Sequence, residues 1–357
     1  MKILFCLNSA SEFAGVQQYI LSLVTALQKE GIHAIVWLNE NAAFETKLSE
    51  HGISFYQYQE SIYSLKNLWK LTTLIKKEKI KIIHANLGGA AIASAIVKRI
   101  SGIKKFIYTQ HFINPASSQG SIIKRLVSKL VFKVVLLNVD YVIAISNEVK
   151  RSILNRKEVS ERKIKLIYNG IIAVSGETQA SVIPNILIVS RLEHEKGVDK
   201  LLPIFWKLLQ NGYDFSVTIV GGGSQEKVLK DMANSLELDP RIKFIGKVKD
   251  VSPYYLKASV YLNPTMYEGF GLAIVEAMSA KLPVIAFNKG GPVDIVVNER
   301  TGYLVESYDA FGTGIEQLLR KPALLEAFGS AGYERFNKLF TADVMLNKLM
   351  VLYEGIV

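Results

Sequence analysis

The sequence predicts an α/β protein made of two Rossmann-like domains, each a parallel sheet flanked by helices. Three observations predict it. The chain has 357 residues, too many for one ordinary hydrophobic core and suited to two of similar size. Short apolar runs alternate with segments of helical periodicity, the pattern of βαβ units. That alternation also starts twice, once at Lys2 and again at Ile186, on either side of a small-residue, polar stretch at 169–185. Domains are therefore expected at 1–170 and 186–340, with a linker at 171–185 and a C-terminal helix at 341–357 that packs back towards the N-terminal domain.

The elements follow in order. In the first half, apolar runs predict strands at 2–7, 34–38, 80–85, 105–109 and 141–144, with a further one at 165–167, and helical spacing predicts helices at 15–28 and 65–77. In the second half, strands are expected at 186–189, 216–220, 242–245, 260–263, 283–286 and 302–304. Two such sheets facing one another would bind a ligand in a central cleft, at the carboxyl ends of their strands. Cys6 is the only cysteine and falls inside the first run, where it reads as a buried strand residue. That leaves no disulfide framework and fits a reducing compartment. Five apolar residues ahead of Asn8 are too few for a signal peptide, and no run is long enough to span a membrane. A cytoplasmic protein is expected.

Composition is 49% hydrophobic and 21% charged, that of a globular chain. The net charge of +11 belongs to one half. Residues 1–184 hold 24 Lys and Arg against 12 Asp and Glu, whereas residues 185–357 hold 19 against 20. Segment 122–133 sets Lys124, Arg125, Lys129 and Lys133 among large apolar residues at helical spacing, after Lys98, Arg99, Lys104 and Lys105. Such a face suits an anionic membrane surface. A solvated basic face is the other reading. Nucleic acid is not expected, because no RNP-type aromatic signature or zinc spacing accompanies the cations.

Glu268 and Glu276 stand eight residues apart around the turn Gly269-Phe270-Gly271. A helix is expected from Leu272, since Leu272, Val275, Glu276 and Ser279 recur at helical spacing. Its free N–H groups and positive dipole end suit a phosphate. Glu276, about 6 Å along the axis at ~1.5 Å per residue, would then reach a ribose, while Glu268 faces the group beyond the phosphates. A loop-to-helix turn with an N-terminal acid and a surface Glu is the plainer alternative. Arg191 follows a strand end and Lys196 comes five residues later, a guanidinium and an ammonium suited to phosphate oxygens. Gly221-Gly222-Gly223-Ser224 ends the next strand, either to let a ligand reach the backbone or as a tight turn, and Gly290-Gly291-Pro292 is a third glycine turn on the same edge.

These residues carry a resemblance. The second half resembles the retaining nucleotide-sugar glycosyltransferases of family 4, which have the GT-B fold. The family's Glu-x7-Glu matches Glu268 and Glu276, and its Gly-Arg-Leu-x-x-x-Lys-Gly matches Ser190–Gly197 with Ser190 in place of the first glycine. Its Gly-Asp-Gly-Pro turn is similar to Gly221–Ser224, its Pro-Ser to Pro264-Thr265, and its Pro-Val-Ile-Ala strand to Pro283–Ala286. The first half matches more loosely. Phe13-Ala14-Gly15-Val16 keeps one glycine of a usual pair, His111 follows a strand as the family's donor-side histidine does, and Ile172 replaces the aspartate expected after Asn169-Gly170.

The resemblance implies a retaining hexosyltransferase. It would take a nucleoside diphosphate sugar, UDP before GDP on family frequency, and no cofactor. The acceptor would be a hydroxyl of a glycan or lipid-linked glycan, in polysaccharide or lipopolysaccharide synthesis at the inner membrane face. Catalytic roles fall to Glu268, His111, Arg191 and Lys196. Donor contacts fall to Gly15, Arg191, Lys196, Gly222, Glu268, Gly269, Phe270, Gly271, Leu272 and Glu276. The chain has no Asp-x-Asp, so the cations rather than a metal are expected to hold the phosphates. A nicotinamide-dependent oxidoreductase is the competing enzyme, although no Gly-x-Gly-x-x-Gly follows an expected strand. A catalytically idle binding protein is the third reading. His84 reads best as a satisfied core histidine, and Glu193, His194 and Glu195 as a solvated turn.

Overall fold

The computed structural model describes residues 1–8, 15–103, 105–113, 122–177 and 183–355, without the side chains of 122–129. The chain forms two compact units: Met1–Ile171 with Ala342–Val357, and Ile172–Thr341. Residues 172–185 therefore belong to the second unit.

In the first unit the order is β1 (Lys2–Leu7), α1 (Gly15–Lys29), β2 (His33–Asn39), α2 (Ala42–Glu50), β3 (Ser54–Tyr58), α3 (Leu65–Lys77), β4 (Ile82–Asn86), α4 (Gly88–Ser101), β5 (Lys105–Gln110), α5 (Ile122–Asn138), β6 (Tyr141–Ala144), α6 (Asn147–Arg156) and β7 (Ile164–Leu166). All pairs are parallel, in the order β3-β2-β1-β4-β5-β6-β7. The chain runs from β1 towards one edge and then from β4 towards the other, so the order reverses between β1 and β4. Burial on both faces explains why β1 and β2 read as apolar runs, while β4 carries the buried polar His84 and Asn86. Cys6 lies in that core, where burial pushes its thiol up to about 12.

The second unit holds β8 (Asn185–Val189), α7 (Leu202–Gln210), β9 (Ser216–Val220), α8 (Glu226–Ser235), β10 (Ile242–Gly246), α9 (Ser252–Lys257), β11 (Val260–Asn263), α10 (Leu272–Ser279), β12 (Val284–Phe287), α11 (Pro292–Ile295), β13 (Gly302–Val305), α12 (Tyr308–Arg320) and α13 (Pro322–Leu339). Its sheet is also parallel, in the order β10-β9-β8-β11-β12-β13, and reverses between β8 and β11. Leu202, Phe205 and Leu208 of α7 meet Phe311, Ile315 and Leu318 of α12 in one apolar cluster. Both domains are the Rossmann-like parallel sheets that the alternation predicts.

The last helix, α14 (Ala342–Glu354), returns to the first unit. Met345, Leu346 and Leu349 pack with Ile20 and Val24 of α1. A polar chain anchors its end. Tyr353 Oη lies 2.7 Å from His84 Nδ1, and His84 Nε2 lies 2.6 Å from Thr109 Oγ1. His84 is fully buried and burial pulls its pKa down to about 3, so it is a satisfied core histidine rather than a cleft residue.

Candidate functional site

A parallel sheet offers a crevice where its strand order reverses, because the loops on either side diverge there. In the second unit those loops follow β8 and β11, and they carry Arg191, Lys196 and Glu268. After β8, the Ser190 amide donates to Val220 O and the Leu192 amide to Gly222 O, at 3.1 and 3.0 Å. The loop is thereby laid along the glycine turn. A side chain at Gly221 would come within 1.9 Å of Ser190 O, and one at Gly223 within 2.3 Å of Leu192 O. The close approach served by Gly221 and Gly223 is thus loop against loop, the tight-turn reading. Glu193 completes the clasp by accepting from the Ser224 hydroxyl and amide, and those bonds hold its carboxyl below the usual range.

Lys196 closes a single 3-10 turn at His194–Lys196, which Gly197 ends in the left-handed conformation at φ +69°. No side chain fits there, since a Cβ would lie 2.2 Å from Tyr308 Oη and 2.8 Å from Pro264 O. The turn directs Lys196 Nζ to Glu268 Oε2, 3.1 Å away, with both side chains mostly covered. This ion pair joins the two diverging loops. Arg191 stays exposed, with Glu195 at 3.3 Å and the nearby charge of Glu193, surface contacts that restrain it little.

The backbone holds Glu268 from the other side. The Gly291 amide donates to Glu268 O at 2.9 Å, and a Cβ at Gly290 would lie 2.5 Å from the same oxygen. The third glycine turn therefore shapes the acidic loop. Gly271, at φ +113°, begins α10 without a side-chain cap, which leaves first-turn N–H groups without intrahelical acceptors. Gly269 and Leu272 are partly exposed beside it. The Phe270 ring turns inward against Phe340, with centroids 6.0 Å apart, so Phe270 offers the turn its backbone alone. Gly222 is buried, with Lys247 Cγ 3.0 Å from a Cβ position.

Glu276 lies one turn into α10 and is partly buried. Its partner went unnoticed at the level of sequence. Tyr255, fully buried on the short helix α9, donates to Glu276 Oε2 at 2.8 Å and also approaches Ala273 O at 3.2 Å. Burial raises the Glu276 carboxyl to about 7, opposed by the Tyr255 hydroxyl. Tyr261 lies alongside, 5.8 Å from Tyr255 between ring centroids, and its hydroxyl is 3.3 Å from Val189 O. A one-turn helix at 252–257 gives no periodic signal, which is why Tyr255 escaped notice.

In the first unit, His111 follows β5 and is nearly buried. Its Nε2 lies 2.9 Å from Asn86 Oδ1 and its ring meets Tyr19 edge-on at 4.9 Å. Asn86 Nδ2 donates to His84 O, which orients Oδ1 as an acceptor. His111 then carries its proton on Nε2 and keeps Nδ1 as an acceptor. Burial lowers its pKa to about 3, so it is neutral at physiological pH. Arg156 secures the segment that carries it, donating to Gln110 Oε1 at 3.0 Å and Ile113 O at 3.2 Å. Gly15 opens α1 and is exposed. Phe13 and Ala14 of the looser motif lie outside the described residues, as does Lys104. Among the described residues no helix is long and apolar enough to cross a membrane.

Comparison with known proteins assigns both halves. A family model described as "Glycosyl transferases group 1" matches residues 181–335, and "Glycosyltransferase Family 4" matches residues 13–173. The chain is 28% identical over 308 residues to the capsular polysaccharide biosynthesis glycosyltransferase CapM of Staphylococcus aureus, covering 81% of this chain and 80% of that one. It is 29% identical over 265 residues to the UDP-Gal:alpha-D-GlcNAc-diphosphoundecaprenol alpha-1,3-galactosyltransferase of Escherichia coli, covering 70% and 68%. Among solved structures, HepE of Anabaena in complex with UDP superposes with a TM-score of 0.85 at 20% identity, over 99% of this chain and 100% of that one.

Proposed function

This chain belongs to glycosyltransferase family 4 and has the GT-B fold, and on that premise we propose that it moves a hexose from a nucleoside diphosphate sugar to a glycan or lipid-linked hydroxyl, retaining the anomeric configuration. The observation that carries the reading is the Lys196–Glu268 pair across the two loops where the sheet order reverses. An ammonium has three donors. With one spent on Glu268, Lys196 has two left for phosphate oxygens, and the second oxygen of Glu268 is left for a sugar hydroxyl. Arg191 reaches the diphosphate from the exposed rim. Glu276, its other oxygen taken by Tyr255, offers Oε1 to a ribose hydroxyl.

The chemistry follows from where charge develops. The bond between the anomeric carbon and the leaving phosphate oxygen breaks, and its electron pair stays on the diphosphate. The acceptor oxygen bonds the same face of that carbon, and its proton passes to the departing phosphate oxygen. Arg191, Lys196 and the first N–H groups of α10 stabilise the growing negative charge. Glu268 and the backbone at 269–271 orient the sugar. In the first unit, neutral His111 keeps Nδ1 as an acceptor that suits a hydroxyl. These cations do the work that a metal does elsewhere, so transfer is expected to survive chelation.

A UDP donor is favoured because the similar Escherichia coli enzyme is named for UDP-Gal. Polysaccharide or lipid-linked acceptors at the inner membrane face fit the capsular and diphosphoundecaprenol relatives. The test is turnover of a nucleotide-sugar panel with membrane extract as acceptor source, and anomeric analysis of the product. Arg191→Ala, Lys196→Ala and Glu276→Ala should each abolish transfer without unfolding the protein. Near-normal rates in these variants, or an inverted product, would overturn the assignment.

A further inference from the structure

The first unit has two helical layers of opposite character. Right-handed crossovers put α3, α4, α5 and α6 on one face of its sheet and α1 and α2 on the other, with α14 against α1. α3 packs on α4 and α4 on α5, forming a continuous surface. The three helices carry ten Lys and Arg and no Asp or Glu. Acids appear on the neighbouring α6, at Glu148, which pairs with Arg151, and in the other layer at Glu45 and Glu50 of α2 and Asp343 and Glu354 of α14.

The outer surface of these three acid-free helices also displays large apolar side chains. Leu65 is 86% and Trp69 69% exposed on α3, Ile100 is 61% on α4, and Leu130 and Leu137 are each 65% on α5. Cations accompany them on the same exposed stripes: Lys66 and Lys70 beside Leu65 and Trp69, Arg99 beside Ile100, and Lys133 between Leu130 and Leu137. An isolated exposed leucine needs no explanation, but an apolar stripe repeated on three adjoining helices does. Lys98 pairs with Asp140 at 2.9 Å, but Lys66, Lys70, Arg99 and Lys133 are exposed with no acid on their own helices, which disfavours a basic partner. Interleaved leucines and a tryptophan at the helix start do not suit a phosphate backbone alone. Both features together match a lipid interface, where apolar side chains enter the acyl boundary and Lys or Arg meet anionic headgroups.

We propose that the outer surface of α3, α4 and α5 docks on an anionic bilayer, with Trp69 and Leu65 entering it and Lys66, Lys70, Arg99 and Lys133 binding headgroups. This deepens the membrane clause of the proposed function and rests on that reading of the acceptor. The sequence pointed to α5 and the residues before it. α3, with Leu65 and Trp69, is the part that only the layer arrangement adds.

Vesicle flotation tests it, with phosphatidylcholine alone or mixed with phosphatidylglycerol. The wild-type chain should float with the mixed vesicles at low salt, stay in solution with phosphatidylcholine, and be released at high salt. At about 1 kcal/mol per cation near the surface, Lys66→Gln with Lys70→Gln should weaken binding roughly tenfold or more. Leu65→Ser with Trp69→Ser should weaken it comparably. Tryptophan emission should shift to the blue on vesicle addition, and Trp69→Tyr should remove the shift. UDP affinity of the same samples reports on the donor site in the other unit, so failure of the transferase reading would leave flotation unchanged. The proposal is overturned if the wild type stays in solution, if the α3 variants float like the wild type, or if single-stranded RNA binds more tightly than mixed vesicles.

Discussion

Glu276→Gln removes a charge that the fold holds in a poorly hydrated position. Burial raises this carboxyl from 4.5 to about 7. At about 1.4 kcal/mol per pH unit, that displacement corresponds to roughly 3 kcal/mol between its two protonation states. The sign follows from linkage. The folded pKa lies above the unfolded one, so stability from the protonated form is fully present below pH 4.5 and is lost as the pH rises through about 7. Gln carries no charge, keeps an acceptor for the Tyr255 hydroxyl, and escapes that loss. Urea unfolding should show the variant about as stable as the wild type near pH 4 and more stable by roughly 2–3 kcal/mol at pH 8. UDP affinity at pH 8 should fall in the same protein, because an amide presents one acceptor where the carboxylate has two. Equal stability at pH 8, or a difference independent of pH, would refute the claim that this carboxylate is desolvated.

Two further outcomes are expected. Tyr255→Phe should raise the UDP dissociation constant several-fold with little change in turnover at saturating donor, since one hydrogen bond worth about 1 kcal/mol orients Glu276; calorimetry against steady-state rates separates the two. His84→Leu should destabilise the first unit by roughly 2–5 kcal/mol, leaving the Tyr353 and Thr109 hydroxyls unpaired. It should also flatten the acid limb of urea stability, because His84 is depressed to about 3 and its contribution is present above about 6.5 and lost as pH falls towards 3.

Much of this was legible in the sequence, for identifiable reasons. β1, β6, β9 and β11 fall on the expected residues because strands of a parallel sheet covered by helices are rich in apolar residues. β3 was missed. At the sheet edge, its Ser54, Tyr56 and Gln57 are exposed and no run survives. β12 starts at Val284 rather than Pro283, because proline has no N–H to give the ladder, although Pro283 O still accepts from the Tyr261 amide. The chain returns to its first unit at Ala342, whose amide donates to Ile171 O at 2.9 Å.

The candidate site was legible where its residues border a local turn and hidden where they meet distant partners. Glu268, Glu276, Arg191 and Lys196 stand out because each borders a turn with its own pattern. That Lys196 and Glu268 touch follows only from the strand order, since 72 residues separate them. The same holds for Tyr255 beneath Glu276. Glycine runs were ambiguous for a physical reason. Gly221 and Gly223 meet another loop at distances no Cβ tolerates, and a sequence cannot say whether the approaching atoms belong to ligand or protein.

Calorimetric titration of UDP, GDP and NADH into the wild type, Lys196→Ala and Glu276→Ala tests the donor assignment most directly. The wild type should bind UDP, or GDP if the base differs, and not NADH, while both variants lose nucleotide affinity and keep the wild-type fold by circular dichroism. Binding of NADH, or undiminished UDP binding by both variants, would contradict a nucleotide-sugar site built on Lys196 and Glu276.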